Sequence, residues 1–136
     1  MTGPIRVAVV DGRRSLHDLI TAALRAVGYS VSEYESRSQF LFDFPWERPR
    51  IVVMGSHNDG SDVSQADAVK HLLLSSARPH LPILLFAPSA TDPNLVAAAA
   101  IPGTEALPFP LTADGIIAKV NLVVRLYDGR ATRLSI

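Results

Sequence analysis

Apolar residues along this chain follow two alternating patterns. Short continuous runs of aliphatic and β-branched residues are typical of strands that are buried on both faces of a parallel sheet. Between these runs, apolar residues recur every three or four positions, as on one face of an amphipathic helix. The stretch from Arg50 to His57 is the most informative, because it is typical of a central strand and its apolar run stops at Gly55. Five strands are therefore predicted, over residues 5–11, 30–35, 50–55, 82–87 and 105–109.

Helix signals fill the gaps between these strands. Ser15 and Asp18 have the spacing of a capping box at the start of the first helix. Asp92 is a cap followed by a proline at the first helical position, and Thr112 is the cap of the last helix. Pro45 is expected to stop the second helix. Five helices are predicted, over residues 15–27, 38–44, 63–77, 93–101 and 113–127.

The regular alternation of strand and helix predicts a doubly wound α/β domain. A chain of 136 residues is long enough to form one such domain with a proper core. We expect this domain to span residues 1–128. Residues 129–136 have lost the helical periodicity and are predicted to be the start of a linker or a C-terminal tail.

Composition excludes several classes of function. Lysine plus arginine equals aspartate plus glutamate, with 13 of each, so there is no electrostatic case for nucleic-acid binding by this segment itself. The absence of cysteine removes disulfides, thiol nucleophiles and zinc–thiolate sites. The chain contains no run of 18 apolar residues that could span a membrane, and its first residues lack a signal-peptide pattern. We expect a cytoplasmic protein without a membrane partner.

An acid, a glycine and several prolines mark the ends of the predicted elements. The first strand ends in an acid, the first helix ends at a glycine, and prolines flank the later strands. These residues are Val9-Val10-Asp11, Val27-Gly28-Tyr29, Pro49, Pro82 and Pro110. Their order and placement resemble those of bacterial response regulator receiver domains. The resemblance covers almost the whole chain and implies a flavodoxin-like (βα)5 three-layer sandwich, with a five-stranded parallel sheet in the order 2-1-3-4-5.

The residues that the resemblance implies for phosphorylation are mostly missing. Receiver domains hold Mg²⁺ with two adjacent acids after the first strand and take phosphate on an aspartate that ends the third strand. A hydroxyl residue, an aromatic residue and a lysine complete the site, because phosphoryl transfer requires the charge on the equatorial oxygens to be neutralised. Here only the first acid is present, and the six positions are occupied by Asp11, Gly12, Gly55, Ala87, Ala106 and Phe109. We therefore expect a degenerate phosphorylation pocket, partly filled by the apolar ring of Phe109.

Neighbouring polar residues offer few substitutes for the missing groups. Asp11 alone supplies too few oxygens for Mg²⁺, and we expect no metal and no cofactor. Asp59 and Asp62 are expected to be solvated loop acids that assist helix capping. His57 is either a loop residue or a pocket partner that faces Asp11. One of the two arginines at positions 13 and 14 could fold onto the Asp11 carboxylate.

No catalytic constellation can be argued from the sequence, so we expect the protein not to be an enzyme. The first hypothesis is a phosphorylation-independent receiver domain that regulates a DNA-binding output domain absent from this chain. Such a domain would act through dimerisation or partner binding on the face of the fourth helix, fifth strand and fifth helix. The interface residues predicted there are Ala98, Ile101, Leu107, Leu111 and Val123.

The alternative hypothesis is an end-product sensor whose degenerate pocket binds a small molecule. Asp11, Gly12, Gly55 and His57 would form that pocket. Since a switch without covalent input needs a ligand that binds one state better than the other, either hypothesis requires a binding partner. The Phe109–Pro110 bond is also a candidate cis peptide.

Overall fold

The structure of this protein is a computed structural model, which describes residues 4–57, 60–75 and 81–135, with only the backbone described from residue 127 onward. Within these residues the backbone forms five strands and five helices in strict alternation. The strands are β1 Arg6–Val10, β2 Ser30–Tyr34, β3 Ile51–Gly55, β4 Ile83–Phe86 and β5 Thr104–Ala106. The helices are α1 Arg14–Ala26, α2 Arg37–Glu47, α3 Gln65–Leu74, α4 Pro93–Ala99 and α5 Ala113–Ser135.

All strand pairs are parallel, and the sheet has the order β2-β1-β3-β4-β5. Val10 is in register with Met54 and Met54 is in register with Leu85, so the strands β1, β3 and β4 end level with one another. Their carboxyl ends therefore form one edge of the sheet, where open α/β sheets place their sites. The predicted flavodoxin-like fold and its strand order are confirmed.

The core has two layers, because successive side chains of a strand point to opposite faces of the sheet. Val9 and Val53 face the helices α1 and α5, whereas Val10 and Met54 face the helices α2, α3 and α4. The three central strands are buried along nearly their whole length, as their continuous apolar runs predicted. This rigid double layer holds the loops at the carboxyl edge in place.

The starts of the first two helices differ from the prediction. α1 begins at Arg14, and its capping residue Arg13 makes no side-chain capping bond. Asp18 instead forms an ion pair with Arg14 at 3.2 Å, so the Ser15 capping box was wrong. α2 begins at Arg37 after a true cap, because the side chain of Ser36 accepts a hydrogen bond from the backbone of Gln39 at 3.1 Å.

Pro45 does not stop α2, which continues to Glu47. A proline removes one backbone donor, and here that loss falls in the last turn of the helix. Phe40 and Phe44 are buried and keep that turn packed against the sheet. The helix is followed by its C-cap Arg48, which has a left-handed backbone conformation with φ 49°.

The last two elements also differ in extent. β5 is shorter than predicted and ends at Ala106, and the Phe109–Pro110 bond that follows it is cis, as expected. α5 continues to Ser135 rather than ending near residue 127. That residues 129–136 begin a linker remains a prediction. Across the described residues, no helix is both long enough and apolar enough to cross a bilayer.

Candidate functional site

Asp11 lies at the centre of the carboxyl edge, directly after β1. Its side chain is buried, with 1% of the residue exposed. The two carboxylate oxygens accept hydrogen bonds from two backbone groups, Oδ2 from Arg13 N–H at 3.2 Å and Oδ1 from His57 N–H at 3.1 Å. Burial raises the pKa of Asp11, although these two N–H donors oppose that shift by stabilising the charged form.

Gly55 ends β3 immediately beside this carboxylate. A Cβ atom placed on Gly55 would lie 2.3 Å from Cγ and 2.4 Å from Oδ1 of Asp11, closer than non-bonded atoms can approach. The Asp11 side chain therefore occupies the volume in which a side chain at position 55 would begin. The sequence showed that position 55 has no carboxylate, but not that Asp11 fills its place.

His57 and Arg13 cover the outer side of Asp11. The Nδ1 atom of His57 lies 3.3 Å from a terminal guanidinium nitrogen of Arg13. A Cβ atom on Gly12 would lie 3.0 Å from Cδ2 of His57, so the ring packs over that glycine. His57 lies in the loop that follows β3 and contacts Asp11 through its backbone N–H, whereas its ring contacts Arg13.

The two arginines that follow Asp11 differ in their contacts. Arg13 binds the carboxylate through its backbone N–H while its guanidinium contacts His57. The guanidinium of Arg14 instead contacts the carboxylates of Glu35 and Asp18, each at 3.2 Å. Neither guanidinium makes the direct ion pair with Asp11 that the sequence suggested as a possibility.

His17 supports Asp11 from the opposite side. This residue of α1 is completely buried, and its Nδ1 atom lies 3.0 Å from the backbone oxygen of Asp11. Its Nε2 atom lies 2.9 Å from a carboxylate oxygen of Glu33 on β2. Burial raises the pKa of Glu33, but hydrogen bonds from His17 and Arg25 outweigh this and hold the pKa of Glu33 below its usual value.

Asp62 is a structural residue of the β3–α3 loop. It was expected to be solvated, but its side chain is only 15% exposed. Its carboxylate accepts hydrogen bonds from the backbone of Arg37 at 2.8 Å and of Ser38 at 2.9 Å, and so caps α2. Burial opposes ionisation, but bonds from the Ser38 hydroxyl and the backbone of Arg37, Ser38 and Val63 lower the pKa of Asp62. Asp59 lies outside the described residues.

Besides His17, the sequence analysis missed two further buried polar side chains at this edge. Arg37 is 1% exposed and donates to the backbone oxygens of Gly55 at 2.9 Å and Val63 at 2.6 Å. Gln65 is completely buried and donates to the backbone oxygens of Met54 at 2.9 Å and Phe86 at 3.4 Å. Both sit in the first turn of a helix among polar residues, where periodicity gives no signal of burial.

The remaining positions of the degenerate pocket lie towards β5. Ala87 is buried directly after β4, and Ala106 is exposed at the end of β5. Phe109 does not fill the space at Gly55, which Asp11 occupies. It is 37% exposed and lines a shallow apolar hollow of about 510 Å³. The other residues of that hollow are Leu16, Pro88, Ser89, Ala90, Pro110 and Leu111.

Three of the five predicted interface residues belong to the core. Ala98, Leu107 and Val123 are at most 1% exposed, so no partner can reach them and their assignment to an interface was wrong. Ile101 and Leu111 are partly buried and pack against the core. The exposed apolar side chains of this region are instead Val96, Phe109, Leu122 and Leu126.

A polar hollow of about 310 Å³ opens beside the buried carboxylate. It lies between the loops that follow β1, β2 and β3, and Asp11 and Gly55 are not among its lining residues. Those residues are Gly12, Glu35, Ser36, Ser38, His57, Ser61 and Asp62. In the described parts of the chain, no group of three histidine or acidic side chains could hold a metal ion.

Comparison with known proteins identifies the fold. The sequence matches no known family model and no curated protein significantly. The structure is similar to the chemotaxis response regulator CheY4 of Vibrio cholerae, with a TM-score of 0.75 and 18% identity over 88% of this chain and 98% of that one. It is also similar to a CheY-like receiver domain protein of Methanospirillum hungatei, with a TM-score of 0.79 and 14% identity over 94% and 99% of the two chains.

A third similar structure belongs to a longer chain. NtrX from Brucella abortus has a TM-score of 0.84 and 17% identity, and the similarity covers 97% of this chain but 29% of that one. The architecture is therefore that of CheY-like receiver domains. At these identities the likeness shows the fold alone.

The close approach of Asp11 and Gly55 predicts the effect of adding one methyl group. We expect Gly55→Ala to lower the free energy of unfolding by about 1–3 kcal/mol, because the new Cβ overlaps the Asp11 carboxylate. Asp11→Gly removes the atoms that this Cβ overlaps. It should therefore lower the free energy of unfolding less in the Gly55→Ala chain than in the native chain. Denaturant unfolding of the four proteins measures this coupling, and strictly additive effects would contradict the packing described.

The capping role of Asp62 predicts a dependence on pH. We expect Asp62→Ala to lower the free energy of unfolding by about 1–2 kcal/mol at pH 7, because the backbone N–H groups of Arg37 and Ser38 lose their acceptor. The pKa of Asp62 is lowered by folding, so its stabilising effect is complete above its unfolded pKa of roughly 3.9 and is lost as the pH falls through the folded value. The deficit of the variant should therefore shrink on acidification.

Asp18→Ala is the control for this measurement, because Asp18 is exposed and only pairs with Arg14 on the surface of α1. Its cost should be below about 1 kcal/mol. An Asp62→Ala deficit that stays constant between neutral and acidic pH would show that the charge of Asp62 does not stabilise α2.

Proposed function

We propose that this chain is an atypical receiver domain that regulates a transcriptional output domain without being phosphorylated. It has no enzymatic activity of its own and acts in the cytoplasm. DNA would be contacted only by an output domain outside this chain. Regulation would come from dimerisation or from a protein partner, since binding to one state in preference to another replaces the covalent input.

One observation carries this proposal. The place from which a phosphoacceptor side chain would extend at the end of β3 is already filled by the Asp11 side chain. A carboxylate at position 55 could therefore not coexist with the present position of Asp11. The absence of a second acid at Gly12 and of a cation at Phe109 agrees with a pocket that has no use for Mg²⁺ or phosphate.

The similar structures support the regulatory part of the proposal. Proteins described as response regulators or as receiver domains share this fold over most of their chains. The matching part of NtrX is 29% of its chain, so the fold occurs there as one part of a larger protein. An arrangement of that kind would suit a domain that controls an attached output domain.

The exposed apolar residues Val96, Leu122 and Leu126 support dimerisation near the edge of the sheet that β5 forms. They lie on α4 and α5, the two helices that flank this edge, and are 46–56% exposed. A second copy of the chain could cover them by a two-fold contact, in which the same patch is used on both subunits. This revised surface replaces the buried residues that the sequence had suggested.

A second candidate function is small-molecule sensing in the polar hollow. The observation that favours it is the open volume beside Gly12 and His57, about 310 Å³. A ligand there would not contact Asp11 or Gly55, so the site differs from the pocket expected from the sequence. Its hydroxyl and carboxylate groups would suit a polar ligand.

The hypothesis that this domain is not phosphorylated predicts that Mg²⁺ with acetyl phosphate leaves it unmodified. Intact-mass spectrometry should show no gain of a phosphoryl group, and Mg²⁺ with beryllofluoride should leave the amide NMR spectrum unchanged. The Gly55→Asp variant should also remain unmodified, because its carboxylate meets that of Asp11 with no lysine or second acid to offset the repulsion.

An ordinary receiver domain treated in parallel is the control for the activity of the reagents. A mass gain of one phosphoryl group on the native chain would refute the proposal. A gain on Gly55→Asp alone would show that the rest of the machinery is intact despite Gly12 and Phe109.

The revised surface predicts the effect of one charge on assembly. We expect Leu122→Arg to convert a dimer into a monomer, because a two-fold contact brings the new charge in twice. Multi-angle light scattering at micromolar concentration measures the mass. Phe42→Arg is a matched control, since Phe42 is also exposed but lies on α2. A native chain that is monomeric at high concentration would exclude dimerisation by this domain alone.

A further inference from the structure

The contact between Arg13 and His57 fixes the position of a proton. A guanidinium group can only donate hydrogen bonds, so the Nδ1 atom of His57, 3.3 Å from Arg13, must be the acceptor. An imidazole nitrogen accepts only when it carries no hydrogen. The contact therefore requires a neutral ring with its proton on Nε2.

We propose that His57 and Arg13 form a pH-sensitive latch, which joins the β1–α1 loop to the β3–α3 loop only while the imidazole is neutral. Protonation of Nδ1 would leave its N–H group facing an N–H group of Arg13, with two positive charges next to each other. The contact would then break. This device needs no phosphoryl group and no ligand, and so extends beyond the function proposed above.

The latch is coupled to the buried carboxylate by the same two residues. Arg13 and His57 also supply the backbone N–H groups that bind the two oxygens of Asp11. If the side chains of Arg13 and His57 move apart, the two loops that carry these N–H donors should therefore shift as well. Opening the latch should disturb the environment of Asp11, which is buried and has few other ways to keep its charge solvated.

The charged groups around His57 determine where its protonated ring should turn. Arg13 repels an imidazolium, whereas Asp11 attracts it from the same loop. Glu35 and Asp62, which belong to the loops after β2 and β3, line the polar hollow together with His57 and also attract it. Glu35 is paired with Arg14, and Asp92 of the β4–α4 loop is hydrogen-bonded to Ser56. An imidazolium should therefore leave Arg13 and turn towards the hollow.

NMR of the native chain tests both parts of this proposal. Long-range ¹⁵N–¹H spectra above pH 8 should show His57 as a single tautomer with its proton on Nε2. When acid protonates the ring, the backbone amides of Arg13 and His57 should shift together with it. Protonated Nδ1 in the neutral ring, or a ring that titrates while these amides stay in place, would overturn the proposal.

Two variants separate the latch from general effects of acid. His57→Gln keeps an acceptor for Arg13 but cannot titrate, so the step in the Arg13 amide shift that accompanies protonation of the His57 ring should disappear. His71→Gln removes an exposed histidine of α3 and should leave that step unchanged. Persistence of the step in His57→Gln would assign it to another group and refute the latch. No phosphoryl donor is present in these samples, so the outcome is independent of the test for phosphorylation.

Discussion

The packing of the Asp11 carboxylate against Gly55 is the contact on which the carboxyl edge of the sheet depends. Parallel strands that end level with one another bring their last residues together, and here one of the two residues has no side chain. The acid turns into that space and is removed from water, which is unfavourable for a charge unless it is hydrogen-bonded. The backbone N–H groups of Arg13 and His57 meet that requirement.

Other buried polar side chains hold the surrounding loops in the same way. Arg37 and Gln65 donate to backbone oxygens at the ends of β3 and β4, and His17 contacts the backbone oxygen of Asp11. Each of these contacts joins a helix to the end of a strand. Buried contacts of this kind favour one arrangement of the loops over others. These contacts hold the loops of the carboxyl edge against the helices α1, α2 and α3.

This arrangement explains why regulation is proposed to act through binding. A domain with no covalent input can change state only if something binds one state better, or if a titration alters a contact that differs between states. The apolar residues of α4 and α5 offer a surface for the first route, and the neutral imidazole of His57 offers a means for the second.

The sequence by itself determined the fold. Continuous apolar runs and the helical periodicity between them predicted every strand and helix, because burial on two faces and burial on one face leave different patterns. Together with the resemblance to receiver domains, they also led to the strand order. The lack of a side chain at Gly55 and of an acid at Gly12 was equally plain from the sequence.

Only the tertiary structure decided which side chains are buried and which distant residues they contact. A run such as Ala97–Ala100 has no contrast between its faces, so the burial of Ala98 could not be predicted. Pro45 was tolerated because buried phenylalanines hold the turn around it. The contacts of Asp11 with residues near position 55, and of Arg37 with Gly55, join segments that are far apart in the chain. Distances of that kind follow from the packing of the whole sheet, and no local pattern encodes them.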